Sequence, residues 1–143
     1  MSPVEVRDLE RPEAVVTFPL GETQQVRLAG TVVSRIVLQP GWNWQEHAQP
    51  IVGTEACELY HRGFVLRGRL GIRADTGEGL VIPPNHVFDI RPGHVTWVEG
   101  DDELVMVDWA GRRRLRCHSG PGCAIDFHDP VHRHRRLDPK GSA

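Results

Sequence analysis

The sequence predicts an all-β domain, a small barrel or sandwich. Short apolar runs recur along the chain, at residues 26–28, 32–38, 80–82, 87–90, 94–98 and 103–109, and turns rich in glycine, proline or aspartate separate them. No 12-residue segment carries helical periodicity. The stretch Asp75-Thr76-Gly77-Glu78-Gly79 lies between two β-type runs, and its glycines accept the positive φ of a hairpin turn.

The elements follow in order. Residues 1–24 read as an irregular lead-in with one short strand. Gln24 to Leu38 reads as one or two strands, with Gly30 at the bend, and Pro40-Gly41 is a turn. The stretch from Trp42 to Thr54 is less regular, although Trp42 and Trp44 have the i, i+2 spacing of one strand face. From Glu55 to Ala74 β signals dominate, broken by Gly63, Gly68 and Gly71. The turns Arg91-Pro92-Gly93 and Gly100-Asp101-Asp102 divide the remaining strands. After Gly111 no apolar pattern of useful length continues, so 111–143 is expected to be a basic, mostly irregular tail.

A chain of 143 residues has room for one domain with a hydrophobic core. No apolar run reaches the length of a membrane span and no basic-then-apolar leader opens the sequence, so the cytoplasm is expected. Three cysteines, Cys57, Cys117 and Cys123, cannot all pair with one another. Residues 1–110 carry 9 Lys/Arg against 16 Asp/Glu, and residues 111–143 carry 8 against 3. The body is acidic and the tail basic. Aromatic residues do not interleave with the tail's arginines, which argues against a nucleic-acid partner.

The chemistry concentrates in two places. Cys57 and His61 lie four residues apart, and on a strand 57, 59 and 61 share a face. The segment Ile90-Arg91-Pro92-Gly93-His94 ends in a histidine that can reach the same interior from a neighbouring strand. A thiol and two imidazoles converging inside a barrel form a transition-metal site. Glu55 is either a solvent-facing strand residue or a further ligand, and an inward carboxylate there needs a partner. His47 is a pocket residue or an alternative fourth ligand. Trp44, Thr96 and Trp97 are candidates for the pocket wall. Tyr60 and Arg62 should face outward. In the tail, Cys117, His118, Cys123 and His128 make a weaker second zinc candidate, because the cysteine spacing departs from the zinc-finger pattern.

From about residue 25 to 110 the sequence resembles the cupin superfamily, whose fold is a double-stranded β-helix, a jelly-roll barrel. Cupins carry one signature of His-x-His, three or four residues, Glu, six residues, Gly. Here Gly68 fits the glycine, His61 stands at the glutamate, Cys57 at the second histidine and Glu55 at the first. In the second signature Asn85 replaces the opening glycine, Arg91 the proline and Thr96 the histidine, while Gly93 is kept and His94 lies two residues before Thr96. The resemblance implies a metal held by Cys57, His61, His94 and Glu55 or His47. It also implies a homodimer paired through outer strands.

A thiolate with imidazoles favours zinc. If Cys57 only supports the ligands, Glu55, His61 and His94 make a two-histidine, one-carboxylate set suited to iron(II), the second expectation. The functional expectation is a cupin that acts on or binds a small polar molecule through a divalent metal. As a lyase, isomerase or dioxygenase it would use His47 or Glu55 to move a proton. The alternatives are a ligand-sensing module and a structural barrel braced by its metal.

Overall fold

The computed structural model describes residues 3–74 and 77–109. Among these residues, nine strands form two antiparallel sheets. The larger sheet joins β1 (Ala14–Phe18), β2 (Gly21–Leu28), β3 (Thr31–Leu38), β4 (His61–Arg67), β7 (Val87–Ile90) and β9 (Leu104–Asp108), in the order β1-β2-β3-β9-β4-β7. The smaller joins β5 (Leu70–Ala74), β6 (Leu80–Ile82) and β8 (His94–Val98), in the order β6-β5-β8.

The period-2 pattern decides what each sheet buries. Ser34, Ile36 and Leu38 turn inward from β3, as Leu104 and Asp108 do from β9. Leu70, Ile72, Ile82 and Val98 of the smaller sheet join them in one core with Val65, Phe88 and Ile90. That shared core makes the two sheets the walls of one jelly roll.

Two backbone positions explain the spacing of the motif residues. Gly68 has φ +75, and a Cβ there would stand 2.4 Å from the Glu103 carbonyl oxygen, so only glycine lets the end of β4 approach β9 this closely. Asn85 takes φ +64, the left-handed turn for which the family's glycine is suited, and its N–H donates to the Val65 carbonyl.

Two expectations change. The larger sheet begins at Ala14, and β2 runs through position 24, so the first strands belong to the barrel rather than to a lead-in. The stretch after Trp42 is helical: a wide π-type turn, Trp44–Ala48, runs into one α-helical turn, Gln49–Val52. Local capping explains it. The Asn43 side chain accepts from the Glu46 N–H, Pro50 sits in the first turn, and Gly53 ends the helix at φ +83. No helix among the described residues is long and apolar enough to cross a membrane. The expected tail, 111–143, with Cys117, His118, Cys123 and His128, lies outside the described residues.

Candidate metal centre

Two backbone pairings assemble the site. Cys57 and His94 face each other across an isolated antiparallel bridge, with the Cys57 N–H donating to the His94 carbonyl at 2.7 Å. His61 opens β4, next to β9. Gly63 of β4 pairs with Asp108 of β9, which leaves His61 and Asp108 as diagonal neighbours on the inner face. The Cys57 sulfur and the imidazole nitrogens of His61 and His94 offer ligand atoms that all lie within 4.8 Å of one another. Cys57 and His94 are buried, and the His61 side chain is 16% exposed.

The hydrogen bonds orient both rings. His61 Nδ1 lies 2.7 Å from Asp108 Oδ2. An ionised carboxylate only accepts, so Nδ1 carries the proton and Nε2, 3.5 Å from Cys57 Sγ, turns to the cluster. His94 Nδ1 lies 2.6 Å from the Arg91 carbonyl oxygen. A carbonyl likewise only accepts, so Nδ1 carries a proton and the His94 Nε2 turns to the cluster. Each imidazole is thus fixed through one nitrogen by an acceptor and offers the other, the outer support that metal-bound histidines need. Asp108, 1% exposed, is the residue that reading the sequence missed. Its signal was there: Leu104, Met106 and Asp108 alternate on one face of an apolar strand, so the aspartate had to be buried and partnered.

The charges follow from the same contacts. Burial by itself raises the Cys57 thiol, but hydrogen bonds from His61 and His94 and their charges outweigh it and bring the pKa down to about 5. Burial by itself lowers the His61 imidazole, but Asp108 and Cys57 outweigh it and raise the pKa to about 10. Without a metal, the pair is a thiolate beside an imidazolium.

The cluster opens into a cavity of about 90 Å³. Its wall is apolar almost throughout, with Leu38, Trp42, Trp44, Ile51, Phe88 and Met106 among its residues. Beyond the cluster, the polar side chains on the wall are, among the described residues, Thr23, His47 and Thr96, with the indole N–H groups of Trp42, which is buried without a hydrogen-bond partner, and Trp44, which donates to the Glu55 carbonyl. His47 comes from the helical turn, and its Nδ1 accepts the Asn43 backbone N–H, so its Nε2 carries the proton in the neutral ring.

The other expected site residues divide between the cavity and the surface. Glu55 is exposed and outside the cluster, and contributes only a backbone carbonyl, which accepts from the Trp44 indole. The strand alternation does not extend to it, because residues 54–56 bend ahead of the Cys57 bridge. Trp44 and Thr96 line the cavity, whereas Trp97, next to Thr96 on β8, takes the opposite face. There it covers Gly71 and donates to Glu99. Thr96 does face inward at the family's histidine position, and the imidazole comes from His94 two residues before it.

No family model matches the chain, and no curated protein matches it in sequence. Among solved structures it is similar to a Cupin 2 conserved barrel domain protein from Salinispora arenicola CNS-205, with a TM-score of 0.53 and 20% identity, over 78% of this chain and 92% of that one. It is similar at the same TM-score to apo-HppE, at 8% identity, over 76% of this chain and 58% of that one. The chain has the barrel fold of the cupin superfamily. Its cysteine–histidine–histidine cluster has the composition and spacing to hold a divalent metal.

Proposed function

We propose that this chain is a divalent-metal cupin that takes a small molecule into its barrel, with Cys57, His61 and His94 as the protein ligands. The observation that carries the reading is the convergence of three ligand atoms within 4.8 Å, on rings already oriented by Asp108 and the Arg91 carbonyl. One sulfur and two nitrogens favour zinc over harder ions. The iron(II) reading loses its carboxylate, since Glu55 faces solvent and Asp108 is engaged with His61.

Three protein ligands leave a zinc coordination position open, which favours a working site over a bracing one. A metal bound here would supply Lewis-acid polarisation of a ligand's carbonyl or hydroxyl oxygen. His47, on the cavity wall, would deliver or accept a proton, and the apolar wall would exclude water from the reacting end. A cytoplasmic homodimer completes the proposal, and sedimentation checks the dimer.

The test is elemental analysis of protein purified without chelator or added metal, alongside Cys57→Ser and His61→Ala. About one zinc per chain in the parent and none in the variants supports the reading. Well-folded parent protein without metal, or variants with the parent's metal content, would overturn it.

A further inference from the structure

The cavity wall and the cluster make opposite demands on a ligand. A polar group placed along the wall would lose its water and find few partners, since among the described residues Thr23, His47, Thr96 and the Trp42 indole N–H are what the wall offers beyond the cluster. No lysine or arginine lines the cavity among the described residues, so an anion has no side-chain cation to meet. The metal end does not favour an anion either. A divalent ion there already faces the Cys57 sulfur, deprotonated when it ligates, and the Asp108 carboxylate behind His61. The volume of about 90 Å³ is several times the roughly 10–15 Å³ of such space that one water molecule needs. That suits a molecule of a few heavy atoms.

We infer that the ligand is a small, neutral, mostly apolar molecule with one oxygen donor, such as a short branched amide, ketone, aldehyde or alcohol. The donor sits at the Cys57–His61–His94 end and the hydrocarbon part against Leu38, Phe88 and Met106. This inference rests on the metal reading above, and it replaces the polar ligand expected from the sequence with an apolar one.

Three molecules of nearly equal shape test it. Isobutyramide is neutral with an apolar tail, isobutyrate carries a negative head on the same tail, and lactamide replaces one methyl with a hydroxyl. The protein is loaded with zinc, its zinc content is measured, and each compound is titrated calorimetrically at millimolar concentration. Isobutyramide should bind about tenfold or more tightly than either of the others, because each pairs poorly with the wall or the site. Equal or tighter binding of isobutyrate or lactamide would overturn the inference while leaving the metal reading intact, and so would failure of all three on fully loaded protein. Failure to take up zinc at all would overturn the metal reading, and this inference with it.

Discussion

Two networks, each built on an aspartate, sit on opposite faces of the same strands. Inside, His61 meets Asp108 and Cys57. Outside, Arg62 and Tyr60 meet Asp89 of β7, and the Arg62 guanidinium lies 5.5 Å from the centre of the Tyr60 ring. The residues are sequence neighbours, and strand alternation alone sends 61 inward and 60 and 62 outward. Their surroundings then separate them. Asp108 is 1% exposed, whereas the Asp89 side chain is 48% exposed. Water screens the outer pair, so its charges add little to the fold. The inner aspartate has no water to turn to, and its contact with His61 decides both the ring's tautomer and the state of the Cys57 sulfur. Similar chemistry is ornament on one face and machinery on the other.

Substitutions can break that contrast, from the strongest effect downward. Cys57→Ser and His61→Ala should each cut zinc affinity by at least about 100-fold, more than the loss of a supporting residue, as measured by chelator competition. Asp108→Ala leaves the His61 Nδ1–H buried without its partner. It should destabilise the fold by about 3–5 kcal/mol, read by urea denaturation. Asp108→Asn keeps a hydrogen-bond acceptor, and should weaken zinc binding about 10- to 100-fold. Arg62→Ala, on the outer face, should change neither zinc binding nor the melting temperature within error.

Acid and base should sharpen the comparison in metal-free protein. Cys57 titrates near 5 when folded against 9.0 unfolded, so its contribution is complete above pH 9 and fades as the pH falls to 5. His61 titrates near 10 when folded against 6.5 unfolded, so its contribution is complete below pH 6.5 and fades as the pH rises to 10. Between pH 6.5 and 9 the two slopes oppose each other and the pair's contribution is flat. It falls below pH 6.5, where the cysteine acts alone, and above pH 9, where the histidine does. Denaturation of the parent minus a variant lacking both groups, Cys57→Ala with His61→Gln, should trace that plateau. A difference that changes steadily with pH from 6.5 to 9 would show that only one of the two groups is shifted.

Much of this was legible in the sequence, because a period of two is a simple rule. Glycine turns and short apolar runs gave the all-β barrel, and alternation placed Cys57 and His61 on one face, with His94 opposite. The misses have physical causes. Glu55 was counted with Cys57 because both are odd-numbered, but a bend at 54–56 breaks the register between them. Thr96 and Trp97 were given one pocket although neighbours on a strand take opposite sides. The helical segment at 44–52 is too short to show a period, and only its caps, Asn43 and Gly53, marked it. Asp108 is hidden for another reason: it holds the His61 ring in place and is not one of the clustered ligands, so no ligand spacing marks it.

The central claim is that Cys57, His61 and His94 bind one divalent ion together. The most direct measurement is a cobalt(II) titration of metal-free protein followed by its absorption spectrum. The account predicts saturation at about one cobalt per chain, with a near-ultraviolet thiolate-to-cobalt band that is missing from Cys57→Ser and the visible bands of a four-coordinate site. Folded protein that takes up no cobalt, or a spectrum unchanged by Cys57→Ser, would contradict it.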